Sequence, residues 1–392
     1  MVEKEKLKKR KKAASLQTRT RREKREKRKK LFKIFPLLVL VAVVLFFVLY
    51  KVVVSGKVFL QPFPKAIGHF EPTYEWRSDN QWNLLFVTVD DLEKKSAEVT
   101  GLYLSEFDPA NKSWRILEIP VDIVVDAVGG RGEYKLSKIY ALGAIQDQRE
   151  NMLFLKDTFE KEFALPVDRY FIVDDRFDQF LKDQFGIQKV ENFEDFFEEN
   201  KPLFSGLRGV LNLFELKKNA STYFATNLSS KEFFQIGKVM SKVTPEKMSY
   251  TKMGEELLSK GDKNVDENED GYYLNKIKLD LFLQNDFYDY VVRQEMKKVK
   301  VLNGSKVPKV AAQAARTIVN WGGELVETGN TELSDRVVIQ VDTESKDSET
   351  IKRLQAFFGG KVDVVEISVI ERAEIRVILG NNWVEKVYGR IE

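Results

Sequence analysis

The chain has 392 residues, a formal net charge of +4, no cysteine and one histidine, His69. Without cysteine it forms no disulfide and no thiolate zinc site, and one histidine excludes metal centres built on two or three imidazoles. Any catalysis must therefore use Asp, Glu, Lys, Arg, Tyr or Ser, with a hard cation such as Mg²⁺ where a metal is needed.

The amino-terminal segment has the pattern of a membrane anchor. Residues 1–33 carry a net charge of +13, which leaves −9 for the remainder. The run from Ile34 to Tyr50 is uncharged, and the valines after Lys51 extend it to a length that crosses a hydrocarbon core of roughly 30 Å. Because Lys and Arg stay on the inner side, we predict a cytoplasmic tail (1–33), a single transmembrane helix (34–54) and extracytoplasmic domains.

Two alternatives accompany this interpretation. A cleaved signal peptide is disfavoured because the apolar run is long and no small-residue cleavage pattern follows it. The tail is expected to set topology and contact anionic lipid. Nucleic-acid binding by the same cations is the less favoured alternative.

Residues 55–79 contain three prolines and predict a linker, so His69 is not expected to be catalytic. Over residues 80–260, strand-like apolar runs alternate with helical stretches. The predicted strands are Asn83–Asp90, Val99–Phe107, Trp114–Ile119 and Val167–Val173, and the helices cover 146–163 and Arg176–Phe185. This alternation predicts an α/β domain with a mixed sheet.

Residues 258–271 are polar, acidic and rich in turn formers, which predicts a loop or hinge within an acidic connecting segment over 261–296. A small domain is predicted over 297–392. Its elements are strand Val299–Leu302, a helix opened by Pro308, strands Glu324–Glu327 and Arg336–Val341, helix Ser348–Phe358, and strands Val362–Ile367 and Ile375–Leu379. The first six of these elements have the β-α-β-β-α-β order that is typical of the split βαβ arrangement, and a binding or assembly role is expected.

Two family resemblances follow from particular stretches. The turn VKVLNG, the alanine-rich helix with its Gly-Gly exit and the late strand ending in LG resemble the LytR C-terminal domain, with Lys309 where that family usually has glycine. The stretches NLLFVTVDD, LEIPVDIVV, YKLSKIYALGA and LPVDRYFIVDDRFDQFLKDQFG resemble a LytR-CpsA-Psr domain over about residues 80–260.

The second resemblance implies a function. Such proteins move glycopolymers from polyprenyl-pyrophosphate carriers onto peptidoglycan, using Mg²⁺ and a cluster of arginines around the pyrophosphate. Carried over by motif, the candidate phosphate or metal site is Asp90, Asp122 and Lys135, with Asp90 and Asp122 as the candidate Mg²⁺ ligands. The alternative for both aspartates is capping of the turns that follow them, and for Lys135 a solvated surface position.

The chain departs from that family at its arginines. Val121 stands where the family has Arg, the next Arg motif falls on Glu98–Gly101, and residues 219–239 contain no Arg. The favoured hypothesis is therefore a non-catalytic binding or scaffold module in cell-wall glycopolymer assembly. The alternative is an active Mg²⁺-dependent phosphotransferase whose site is rebuilt with arginines such as Arg115, Arg169 and Arg176. A third hypothesis, a regulator whose tail contacts nucleic acid, is the least favoured.

Overall fold

The computed structural model describes residues 56–57, 61–72, 81–146, 150–187, 212, 214–240, 242–266 and 269–389. The predicted tail (1–33) and transmembrane helix (34–54) lie outside these residues. Within them, no helix combines the length and the apolar character needed for a membrane span. Pro62–Glu392 form one unit, to which the following description applies.

The first part of this unit is built on two sheets. Its strands are β1 (Trp82–Val89), β2 (Val99–Asp108), β3 (Ser113–Ile119), β4 (Val124–Ala127), β5 (Gly132–Lys135), β6 (Arg169–Asp174), β7 (Phe224–Thr226), β8 (Met248–Lys252), β9 (Leu258–Asp266) and β10 (Glu269–Leu274). The larger sheet has the order β7-β6-β1-β2-β3-β8, and the smaller one β5-β4-β10-β9. Strand β1 runs parallel to β6 and antiparallel to β2, so the large sheet is mixed, as predicted.

Helices pack against both sheets. They are α1 (Leu136–Gln146), α2 (Asn151–Phe163), α3 (Arg176–Phe185), α4 (Ala220–Tyr223), α5 (Ser230–Met240), α6 (Lys276–Asp286) and α7 (Tyr290–Glu295). Helix α3 begins and ends where the sequence predicts, because Gly186 adopts φ 70° and accommodates the left-handed cap that stops the helix. The helix predicted over 146–163 corresponds to α2, which begins later, at Asn151, and ends at Phe163 as predicted, whereas α1 ends at Gln146.

Two predictions are corrected here. Residues 258–271 were predicted as a loop, but β9 and β10 form an antiparallel hairpin whose second strand pairs with β4. The segment after it contains α6 and α7 rather than a linker alone. Part of the predicted linker over 55–79 is also built into the fold, since Phe63 and Phe70 are buried and the Ala66 amide donates to the Tyr170 hydroxyl at 3.0 Å.

The carboxyl-terminal part forms a five-stranded sheet with order β12-β11-β15-β13-β14. Its elements are β11 (Lys298–Asn303), α8 (Val310–Asn320), β12 (Glu324–Asn330), β13 (Val338–Val341), α9 (Glu349–Phe358), β14 (Lys361–Val364), β15 (Ile375–Leu379) and α10 (Asn381–Tyr388). The order of strands and α-helices is as predicted up to β15, while α10 was not predicted. The pairing differs from a split βαβ, because α8 and α9 each connect neighbouring parallel strands and β15 lies between the two pairs.

The alternation of buried and more exposed residues along the strands explains where the cores lie. In β11 and β15 every second residue is buried, so one face of the sheet packs against the helices. The two largest clusters of buried apolar residues draw on residues 66–287 and 292–387 respectively. This division agrees with two folded regions, while the domain limits at 260 and 297 remain predictions.

One buried arginine joins the two regions. Arg353 of α9 donates from Nη1 to both carboxylate oxygens of Asp168, at 2.9 and 3.0 Å, and from Nε to Asp289 Oδ2 at 3.0 Å. A further bond runs from Nη2 to the Gln81 carbonyl. Asp289 also caps α7 through the Val291 amide. The side chains of Arg353, Asp168 and Asp289 are each 6% exposed.

A second junction involves close backbone approach. The end of α10 lies so near the turn at Gly129 and Gly130 that a Cβ built on Gly130 would stand 2.7 Å from the Tyr388 carbonyl oxygen. Gly130 also has φ +66°, which a residue with a side chain rarely adopts. Glycine is therefore required at this turn for both reasons.

Arg353→Met is expected to lower the free energy of unfolding by about 3–5 kcal/mol, because it leaves two buried carboxylates without their cation. Urea unfolding of the full-length chain measures this. Lys361→Met, at the start of β14, is the matched control. Its side chain is 79% exposed and that of its partner Asp363 is 35% exposed, so its cost should stay below about 1 kcal/mol. Equal, small costs for both variants would contradict the role given to Arg353.

In the Glu232→Gln variant, the free energy of unfolding is expected to fall less steeply than in wild type as the pH is lowered. Burial raises the pKa of Glu232, but the buried Arg169 guanidinium outweighs it and holds the pKa below its ordinary value of 4.5. A lowered pKa contributes stability above pH 4.5 that is lost as pH falls below it. Urea unfolding at pH 7, 5, 4 and 3 tests this, with Glu385→Gln, an exposed position on α10, as the control. Parallel acid profiles for wild type and Glu232→Gln would refute it.

Candidate functional site

The candidate site lies at the edge of the large sheet where the parallel strands β1 and β6 end. Val89 pairs with Asp174, so Asp90 and Asp174 emerge side by side at that edge. Ligands of open α/β sheets bind outside the carboxyl ends of their strands. The register between β1 and β2 also shifts at Thr88 and Val89, an irregularity of the kind found beside functional sites.

Asp90 is held by its own loop. Its Oδ1 accepts the Glu98 amide at 2.8 Å and its Oδ2 accepts Lys94 Nζ at 3.2 Å, while 39% of the side chain is exposed. Partial burial raises the pKa of Asp90, but the Glu98 amide and the Lys94 ammonium outweigh it, so the pKa is lowered. This contact pattern is that of a capping carboxylate, one of the two alternatives drawn from the sequence.

Asp174 provides a buried carboxylate partner for Arg176 at this edge. Its side chain is 2% exposed and receives Arg176 Nε at 3.0 Å and Nη2 at 2.6 Å, together with the Leu92 amide at 3.3 Å. Arg176 Nη1 also donates to Glu93 at 3.1 Å. Hydrogen bonds to Asp174 and Glu93 raise the pKa of Arg176, which therefore stays charged.

The other two predicted residues lie at the start of α1. The turn containing Asp122 accepts the first amides of that helix, from Leu136 to the Ile123 carbonyl and from Ser137 to the Val121 carbonyl, both at 2.8 Å. Lys135 is the last residue of β5, directly before the helix, and lies opposite Val124 of β4 in the strand register. The backbone therefore brings Asp122 and Lys135 near each other, with Asp122 exposed and Lys135 half-buried.

Glu98 connects these two groups, and sequence reasoning did not select it. Its amide donates to Asp90, and its carboxylate accepts Lys138 of α1. Glu98 falls on the motif position where the resembling family has arginine, so the charge is reversed there. The signal that could have found it was this reversal, since a carboxylate in place of a phosphate-binding cation needs a cation partner of its own.

The candidate arginines do not converge. Arg115 pairs with Glu106 at 2.8 Å, Arg169 pairs with Glu232, and Arg176 pairs with Asp174. In the register of the sheet, Arg115 lies opposite Glu106, which in turn lies opposite Asn83, and Arg169 lies opposite Leu84. Both arginines are therefore at the other end of β1 from Asp90. Only Arg176 reaches the candidate edge. Each guanidinium is already neutralised by its own carboxylate.

A bound Mg²⁺ would require converging oxygen ligands. Within the ranges that the structure describes, no three His, Cys, Asp or Glu side chains form such a group. The Asp90 carboxylate is also engaged by an amide and an ammonium. The arrangement at this edge therefore supports hydrogen bonding and ion pairing, and no step through a metal is derived from it.

Comparisons with known proteins give one match in sequence and several in structure. Residues 297–383 match the family model described as LytR cell envelope-related transcriptional attenuator. No curated protein matches the chain significantly.

Solved structures match at low similarity. The transcriptional regulator yvhJ from Bacillus subtilis has 18% identity and a TM-score of 0.38, over 53% of this chain and 97% of that one. TagV from B. subtilis has 17% identity and a TM-score of 0.38, over 52% and 94%. The LytR-CPS2A-psr family protein YwtF (TagT), solved with bound octaprenyl pyrophosphate lipid, has 16% identity and a TM-score of 0.38, over 57% and 98%. TM-scores at this level carry no argument about function.

The family match covers the region in which β11 to β15 and their helices form a single core. It agrees with the resemblance drawn from the VKVLNG turn and the Ala-rich helix. Residues 297–383 are therefore a LytR C-terminal domain.

Proposed function

We propose that this chain is a membrane-anchored cell-envelope protein whose middle domain, residues 80–260, binds or scaffolds components of glycopolymer assembly without transferring phosphate. The observation that carries the proposal is the separate neutralisation of Arg115, Arg169 and Arg176 by their own carboxylates. A pyrophosphate needs several uncommitted guanidinium forks directed at one point. The LytR C-terminal domain supports the cell-envelope setting.

The charge at the candidate edge supports the same proposal. Two cations at this edge, Lys94 and Arg176, form ion pairs with three carboxylates, those of Asp90, Glu93 and Asp174. The carboxylates therefore outnumber the cations that bind them. A polyanionic carrier would meet net repulsion at this edge, and no preorganised donor set would stabilise charge developing in a phosphoryl transfer. Polyprenyl-linked glycan or peptidoglycan, if bound, would then be held through its sugar or peptide parts.

Calorimetric titration of the full-length chain in detergent with a polyprenyl pyrophosphate analogue tests this proposal, with and without Mg²⁺. We expect no Mg²⁺-dependent binding at micromolar concentration and no release of pyrophosphate-linked glycan. Asp90→Asn and the control Asp183→Asn, an exposed residue of α3, should then behave alike. Micromolar, Mg²⁺-dependent binding that is lost in Asp90→Asn alone would instead establish the transferase alternative.

The proposed topology makes a separate prediction. Because positive flanks remain inside, an epitope fused before residue 1 should survive protease treatment of intact spheroplasts, whereas the LytR C-terminal domain should be degraded. Immunoblotting with antibodies to each end measures this, and detergent lysis serves as the control that makes both ends accessible. Protection of the LytR C-terminal domain in intact spheroplasts would overturn the orientation.

A further inference from the structure

A lysine and a serine lie against each other at the start of helix α5. Lys217, in a helical stretch over residues 214–218, donates from Nζ to the Ser230 hydroxyl oxygen. Lys217 is 6% exposed, whereas Ser230 is half-buried. When the amine is neutral, the same contact lets the hydroxyl donate its proton to Nζ. A hydroxyl held in this way by a buried base is the arrangement that activates a serine nucleophile.

The surroundings of the amine are apolar. Lys217 Nζ stands 4.9 Å from the centroid of the Phe63 ring, and Phe63 belongs with Leu216 and Leu228 to one buried apolar cluster. An aromatic ring attracts a cation, but removal from water disfavours the charge more, so burial lowers the pKa of Lys217 below its ordinary value of 10.5. A larger share of this amine is therefore neutral at physiological pH than for a lysine in water.

The charged side chains beside the pair are engaged with one another. Glu232 pairs with Arg169 and accepts the Ser229 amide at 2.8 Å. On the other side, Lys218 Nζ lies 3.7 Å from Glu215. Each of these carboxylates has a cation of its own, and burial is the cause that sets the pKa of Lys217.

The position of Ser230 in its helix favours the same chemistry. Ser229 and Glu232 form a capping box, because the Glu232 amide donates to Ser229 Oγ at 3.2 Å and the Ser229 amide donates to Glu232 Oε2. Ser229 therefore does the capping, and Ser230 is the first residue of the helix that follows. The partial positive charge at a helix start stabilises the negative oxygen that forms when a serine attacks a carbonyl.

The pair lies away from the β1–β6 edge. Strand β7 runs antiparallel to β6, with its last residue, Thr226, opposite Phe171. The next residue, Asn227, accepts the Tyr170 amide at 2.9 Å through its side chain. Ser230 follows three residues later, so it lies at the opposite end of β6 from the candidate edge.

We propose that Ser230 and Lys217 form a nucleophile and a general base that hydrolyse a carboxylic ester with a short acyl chain. Ser230 Oγ attacks the acyl carbon and its proton passes to Lys217 Nζ. The alcohol takes that proton as its C–O bond breaks, which leaves an acyl-serine. Water, giving its proton to the same amine, then releases the acyl group as a carboxylic acid.

An ester is the substrate class that this pair suits. An alcohol leaves an acyl centre more readily than the amine of an amide does, so two catalytic groups suffice. The activity concerns acyl groups and stands independently of the function proposed above.

The test is labelling of the full-length chain in detergent with a fluorophosphonate, which bonds to a serine oxygen through phosphorus and releases fluoride. Peptide mass mapping locates the adduct. We expect Ser230 to be labelled at a rate that rises with pH and levels off at an apparent pKa below 10.5. Ser230→Ala should lose this adduct and the hydrolysis of para-nitrophenyl acetate, and Lys217→Met should slow labelling about 100-fold or more.

Lys217→Arg separates a general base from a structural contact. Arginine keeps a donor for the Ser230 hydroxyl but remains charged, so this variant should be as slow as Lys217→Met. Two substitutions serve as matched controls and should label at the wild-type rate. They are Lys218→Met, whose side chain is 67% exposed, and Ser249→Ala, at an exposed position of β8.

Four results would each overturn the proposal. They are an unlabelled Ser230 in the wild-type chain, equally fast labelling of the chain unfolded in urea, undiminished labelling in both Lys217 variants, and no ester hydrolysis above that of Ser230→Ala. Urea midpoints equal to that of wild type show that the variants are folded. Should Lys217→Arg fail to fold, Lys217→Met still decides the matter, because methionine suits the apolar surroundings of Phe63.

Discussion

The pairing of Arg353 with Asp168 and Asp289 is the constraint on which the arrangement of this chain depends. A guanidinium keeps its charge when it is buried, so it must find carboxylates, and the two it finds belong to different segments. Asp168 also accepts the Asn83 amide at 2.8 Å, which ties the cation to the beginning of β1. The LytR C-terminal domain is thereby fixed against the central strands of the large sheet.

The same principle of charge pairing governs the opposite edge, with a different result. At the ends of β1 and β6 the ion pairs are short and local, and they consume the cations that a phosphate ligand would need. Arg176 is bound by Asp174 and Glu93, and Lys94 by Asp90. Asp90 and Asp174 therefore each hold a cation of this edge within the protein.

Much of the fold follows from local pattern. Strand β1 was predictable from its run of apolar residues, and α3 from its periodicity and the glycine that ends it. The β9–β10 hairpin was not, because residues 258–271 are polar and rich in turn formers and lack the alternation of apolar residues that indicates a strand. For Asp90 the sequence left a capping role and a metal or phosphate role open. Glu98 and Arg353 were missed, since their importance lies in partners that are distant along the chain and neither has a motif of its own.

The separation of Arg353 from Asp168 has a consequence for biosynthesis. The two residues are 185 positions apart, and synthesis at about 5–20 residues per second places roughly 10–40 seconds between their appearances. During that interval Arg353 has not yet been made, so its ion pair with Asp168 cannot form. The contact that fixes the LytR C-terminal domain against the central sheet can therefore form only late in synthesis, after residue 353 has been made.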